Sequence, residues 1–254
     1  MFLFNKKKNT TPSNTQKNIA NKSLANSNSP AKVILIKAEA GLDRHIVKLQ
    51  KEKNVDLTKH RARVFVVLDR SGSMYKLFYN GSVQETLTRL LPLALRFDDN
   101  GELEVYVFNN HYTKATPMTI NNFESYVEKE LLNQNLGPAG GTSYAPIISK
   151  TIADYKNGSP YPAFGIFITD GENDDPTLTD NAIKKSSKYK IFYQFIGIGN
   201  SSFKYLEKLD DLDGRSVDNT AFIRVADFCN LDDDQLYEKL LEQYPQWLKD
   251  MHIN

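Results

Sequence analysis

Three stretches of the chain place oxygen-bearing side chains where apolar or glycine-rich runs end. In VFVVLDRSGSM, residues 64–74, five apolar residues run into Asp69, followed by two hydroxyls, Ser71 and Ser73, around Gly72. A second apolar run, FGIFIT, ends in Asp170. The third stretch, GPAGGTS at 137–143, is a glycine-rich loop that presents Thr142 just before a helical segment. Asp69, Ser71, Ser73, Thr142 and Asp170 are all hard oxygen donors, with no histidine or cysteine among them. That composition argues against zinc and for Mg²⁺, Mn²⁺ or Ca²⁺. Two carboxylates and three hydroxyls only just balance a divalent cation. If the carboxylates act through water or by orienting the hydroxyls, the ion stays electron-poor and accepts an outside carboxylate as its last ligand. The set therefore reads as a docking site for an acidic group rather than a closed structural site.

These residues need elements to carry them. Apolar β-type runs are expected at 63–68, 103–108, 164–169, 191–198 and 221–225. A shorter strand is expected at 115–120, which Pro117 confines to a sheet edge. Helical patterns cover 84–97, where Pro92 should kink the helix or end its first part, and 123–132, 146–155, 181–189 and 203–209. A closing helix is expected over 233–248 with Asp232 as its cap. Alternating strands and helices mean an α/β fold with a mostly parallel sheet covered on both faces. Near-continuous apolar strands agree with burial on both sides. Ligands of such sheets bind beyond the carboxyl ends of the strands. If the strands tipped by Asp69 and Asp170 are neighbours, both carboxylates reach the same edge.

DRSGSM at 69–74, the GGTS loop carrying Thr142, and ITDGEND at 168–174 together resemble the metal-ion-dependent adhesion site (MIDAS) of von Willebrand factor A (vWA) domains. All five positions are filled in order, over about residues 60–250. The resemblance implies a Rossmann-like vWA fold: a mostly parallel six-stranded sheet, one short antiparallel edge strand, and helices on both faces. It implies that Ser71, Ser73 and Thr142 bind Mg²⁺ (or Mn²⁺ or Ca²⁺) directly, and that Asp69 and Asp170 act mainly through water or hydrogen bonds. The run from His60 to Phe108 and the segment before it are also similar to bacterial tellurium-resistance proteins of the TerF and TerY type. That likeness implies a role in a tellurite or chemical stress-response complex, in which a partner protein supplies an aspartate or glutamate.

Composition bounds the rest. Of the 254 residues, 40% are hydrophobic and the net charge is +1, so global charge predicts no nucleic-acid partner. Residues 1–30 hold five lysines and no acid, among Asn, Ser and Thr; they read as a disordered basic arm. A solvated tail is the plain interpretation, and weak contact with an anionic surface the sharper one. Residues 31–58 form an amphipathic helical lead-in, with Ile34, Ala38, Leu42, Ile46 and Leu49 on one face, and 59–254 the vWA domain. The lead-in either packs on the domain or docks a partner. The single cysteine, Cys229, allows no internal disulfide. With no signal-like start and no long apolar window, the chain is expected in the cytoplasm without a transmembrane segment.

Tyr75, Tyr144 and Glu172 are candidates for a partner-binding rim, with Tyr79 beside them. Packing against a neighbouring loop is the alternative for the tyrosines. A solvated acidic turn is the plainer reading of Glu172, Asp174 and Asp175. Capping a helix in an ordinary strand-to-helix turn is the alternative for Ser71 and Ser73. No histidine has a Ser or Cys nucleophile partner, so the chain is expected not to be an enzyme. The competing reading is a Mg²⁺-dependent phosphohydrolase on a similar sheet, but Ser71 stands where its second acid belongs.

Overall fold

The computed structural model describes residues 29–132, 140–171, 173–226 and 230–253. The basic arm up to residue 28, the loop residues 137–139, Glu172 and Cys229 lie outside the described residues.

Five strands run parallel, and a short sixth is antiparallel at one edge: β1 (Arg63–Asp69), β2 (Glu104–Phe108), β3 (Tyr112–Lys114), β4 (Ala163–Thr169), β5 (Ile191–Ile198) and β6 (Thr220–Val225). Their spatial order is β3-β2-β1-β4-β5-β6. The chain builds outward from β1 on one side and from β4 on the other, so strand order reverses between these two neighbours. Alternation along β1 explains the double burial. Val64, Val66 and Leu68 enter one core, while Phe65 and Val67 enter the other. The first core lies beneath α1 (Pro30–Lys53), α2 (Tyr75–Tyr79), α3 (Ser82–Phe97), α7 (Asp233–Leu240) and α8 (Tyr244–Asp250). The second lies beneath α4 (Tyr144–Tyr155), α5 (Pro176–Ser186) and α6 (Lys204–Asp210).

The lead-in helix is part of the first core. Leu35, Ala38, Leu42, Ile46 and Leu49 are buried as α1 packs on α3 and α7. Gly41 permits the close approach: a Cβ there would lie 2.6 Å from the Cβ of Asp233. Asp233 in turn pairs with the buried Arg89 of α3 at 2.8 Å. At the surface, Arg44–Asp234 and Lys48–Glu238 repeat the α1–α7 contact one turn apart.

Several elements differ from the sequence expectation. The edge strand is Tyr112–Lys114, earlier than 115–120, because the chain reverses within Asn109–His111. Beyond Lys114 it still follows β2 through Ala115 and the Leu103–Met118 bridge, but Pro117 has no N–H to continue a ladder. Pro92 lies inside an unbroken α3, because burial of Leu90, Leu91, Leu93, Ala94 and Phe97 around it outweighs the lost hydrogen bond. The expected closing helix is two helices, divided by a turn before Pro245, which sits in the first turn of α8. Residues 123–132 form a 3₁₀ turn and a π turn instead of an α-helix. There the Gln84 side chain bonds both Phe123 O and Val127 N.

Candidate metal centre

The site forms at the carboxyl end of the sheet, where β1 and β4 lie side by side with Leu68 opposite Ile168. That register brings Asp69 beside Thr169, with Asp170 one residue beyond. Asp69 is fully buried. One of its oxygens accepts the Ser71 N–H at 2.7 Å, and the other accepts the Thr169 hydroxyl at 2.6 Å. The first bond bends the chain straight after the strand and aims Ser71 and Ser73 back over the edge. Ser71 Oγ lies 3.1 Å from Ser73 Oγ, and Ser73 Oγ donates to Asp170 Oδ1 at 2.8 Å. One chain of polar contacts thus joins Asp69, Ser71, Ser73 and Asp170. The Thr142 hydroxyl faces the same loop, 3.9 Å from where a Cβ on Gly171 would stand.

Burial pushes the Asp69 carboxyl up to about 6, against the opposing pull of its Thr169 and Ser71 hydrogen bonds. Burial also raises Asp170, while its bond from Ser73 lowers it. A cation at the edge would favour both ionised forms. The donor chemistry fits a hard divalent ion: direct contacts join Asp69, Ser71, Ser73 and Asp170, and the Thr142 hydroxyl faces the neighbouring Gly171. Among the described residues no group of three or more His, Cys, Asp or Glu side chains is placed to hold a metal. An ion here would therefore depend on the serine and threonine hydroxyls.

The rim residues divide. Tyr75 is 62% exposed and packs against the 58%-exposed Tyr79, the rings tilted by 31° with centroids 4.3 Å apart. Tyr144 is fully buried, so its assignment to the rim is corrected. Its ring packs against Phe108 and Phe167, and its hydroxyl donates to Gly171 O at 2.8 Å. Tyr144 supports the Asp170 loop from beneath. Glu172 is outside the described residues.

Sequence reasoning overlooked three participants. Thr169 links Asp69 to the Asp170 loop, and its hydroxyl also accepts from Gly171 N. Its signal was a polar residue closing an otherwise apolar strand. Asp174 and Asp175, taken as a solvated turn, bond instead to the Thr142 loop and the start of α4. Their spacing carries no cue to that partner. A cavity of about 370 Å³ opens at the opposite, amino end of the strands, between Arg63, Asp98, Glu104, Lys114 and Asp154. It is remote from this constellation.

A family model described as "vWA found in TerF C terminus" matches residues 61–254. The uncharacterized protein YcbR of Bacillus subtilis (strain 168) is 40% identical over 216 residues, covering 84% of this chain and 88% of YcbR. Among solved structures, proximal thread matrix protein 1 from the mussel byssus, with a zinc-occupied MIDAS motif, is similar at TM-score 0.55 and 16% identity. That match covers 73% of this chain and spans only 48% of the mussel protein. BatB from Bacteroides thetaiotaomicron is similar at TM-score 0.50 and 18% identity, covering 75% of this chain and 98% of BatB. At such identities these structures speak to the fold alone.

Proposed function

The chain belongs to the vWA-TerF-like family, and on that premise we propose that it is a metal-dependent protein–protein interaction module. Ser71, Ser73 and Thr142 hold a divalent cation through their hydroxyls, with Mg²⁺ the first candidate and Mn²⁺ or Ca²⁺ the alternatives. Asp69 and Asp170 orient that set through hydrogen bonds or water. Both Asp69 oxygens already accept protein donors, which suits an orienting role. When bound, the ion supplies a Lewis-acidic position for an aspartate or glutamate of a partner protein. The exposed Tyr75 ring beside Ser73 serves as rim. The observation that carries the reading is the contact chain from Asp69 through Ser71 and Ser73 to Asp170, which closes a gap between two strand ends 100 residues apart in sequence.

We further propose a role in a bacterial tellurite or chemical stress-response complex within the cytoplasm, a reading prompted by the TerF in the family's description. No helix among the described residues is long and apolar enough to cross a membrane. Catalysis is not part of the proposal, because Ser71 occupies the place of a phosphohydrolase's second acid. Weak contact of the lysine-rich arm with an anionic surface remains compatible with this role. Affinity purification with Mg²⁺ and with EDTA tests the core claim. A partner retained only with Mg²⁺, and lost on Asp69→Ala, is expected. A partner retained equally in EDTA and by Asp69→Ala would overturn the reading.

A further inference from the structure

Resting on the metal-site reading above, we propose that Asp174 is a positioning residue for the Thr142 hydroxyl, and that with Asp175 it clasps the glycine loop onto the Asp170 segment. The contact runs both ways along the backbone. Thr142 N donates to Asp174 Oδ2 at 2.6 Å, and Asp174 N donates to Thr142 O at 2.9 Å. These two bonds fix the peptide on which the Thr142 hydroxyl rides. Gly141 is the steric condition for them. A Cβ on Gly141 would fall 2.1 Å from Asp174 Oδ2 and 2.8 Å from Asn110 Oδ1, so the carboxylate fills the room that glycine leaves.

The next acid secures the other end of the loop. The first N–H groups of a helix have no partner within it and attract negative charge. Ser143, at the cap position of α4, makes no side-chain cap bond. Asp175 does so from outside the helix, accepting Tyr144 N at 3.0 Å and Ala145 N at 3.2 Å. Thr179 of α5 donates to Asp175 Oδ1 at 2.8 Å and steadies that carboxylate. The second and third metal segments are thus one mechanical unit. Displacement of residues 173–175 carries Thr142 with it.

Asp174 is exposed, so its charge by itself also favours a nearby cation, and the test separates position from charge. Mn²⁺ affinity is measured by calorimetry on the full chain for wild type, Asp174→Ala, Asp174→Asn, Thr142→Val and the Asp174→Ala/Thr142→Val pair. Hydrogen exchange over residues 140–145 is followed in EDTA. Asp174→Ala is expected to weaken Mn²⁺ binding about tenfold or more and to deprotect the loop without metal. Asp174→Asn, which keeps an acceptor, restores most of both. In the Thr142→Val background the alanine substitution adds little further loss. Unchanged affinity in Asp174→Ala, an asparagine variant as weak as alanine, or equal losses in both backgrounds would each overturn the positioning role while leaving the metal reading intact. Absence of uptake of Mn²⁺, Mg²⁺ and Ca²⁺ alike by the wild type would remove the metal reading and this role together.

Discussion

Hydroxyl oxygens, not carboxylates, form the proposed inner layer around the cation, and that shapes what single substitutions do. Ser71→Ala, Ser73→Ala and Thr142→Val each delete one donor at the sheet edge. Each is expected to lower Mg²⁺ or Mn²⁺ affinity at least tenfold, while melting in EDTA shifts by only a few degrees. Differential scanning fluorimetry with and without metal reads both quantities. A metal-induced rise in melting temperature that survives all three changes would contradict the assignment. A second residue-scale prediction concerns His60. Its ring contacts Tyr244 Oη at 2.9 Å and the edge of Phe97, and burial, aided by Arg61, pulls its pKa down to about 4. The folded state therefore prefers the neutral ring. Its contribution is complete above the ordinary value near 6.5 and is lost as pH falls toward 4. Urea unfolding at pH 7.5 and pH 5 should show the wild type losing about 1–2 kcal/mol more than His60→Gln over that interval. Equal slopes would mean that the ring is not desolvated.

At the scale of elements, the α1–α3–α7 contact rests on one glycine and one buried ion pair. Gly41→Leu drives a side chain into the Cβ of Asp233, 2.6 Å from even the first added carbon. The expected cost is about 1–3 kcal/mol in denaturant unfolding. Arg89→Leu leaves Asp233 without its 2.8 Å partner in a largely buried setting. About 3–5 kcal/mol is expected there, larger than for either exposed pair, Arg44–Asp234 or Lys48–Glu238. Legibility in the sequence also divides by element. The strands ending in Asp69 and Asp170 were readable because both-face burial leaves unbroken apolar runs that a polar residue must close. The α1 face was readable because Leu42, Ile46 and Leu49 repeat at helical spacing. Pro92 and Pro245 show what was not. Buried apolar side chains flank both prolines; Pro92 sits within α3, whereas Pro245 sits in the first turn of α8, where a missing N–H breaks no helical bond. The Tyr144 assignment failed for a related reason. A tyrosine next to a glycine loop looks exposed until the helix that carries it turns its ring into the second core. Asp174 and Asp175 were opaque because their partners lie about 30 residues upstream, with no periodicity linking them.

For the whole molecule, the six strands form one sheet whose order reverses between β1 and β4, and everything proposed about function sits at that reversal. The helix before β1 closes the first core, so a chain lacking it leaves apolar surface on α3 and α7 uncovered. A fragment starting at residue 59 is expected to aggregate or to melt well below one starting at residue 29. Size-exclusion chromatography and thermal unfolding of the two would decide it. An equally stable, monomeric fragment would show that the lead-in is a separable appendage.

The α1–α7 contact has a consequence for biosynthesis. The earliest described helix seats partly on α3 and partly on α7, so during translation α3 can cover some of its greasy side early, while the strip seated on α7 must wait until residue 240 has left the ribosome. Premature termination before α7 would leave that strip bare, marking the incomplete product for chaperones and proteases.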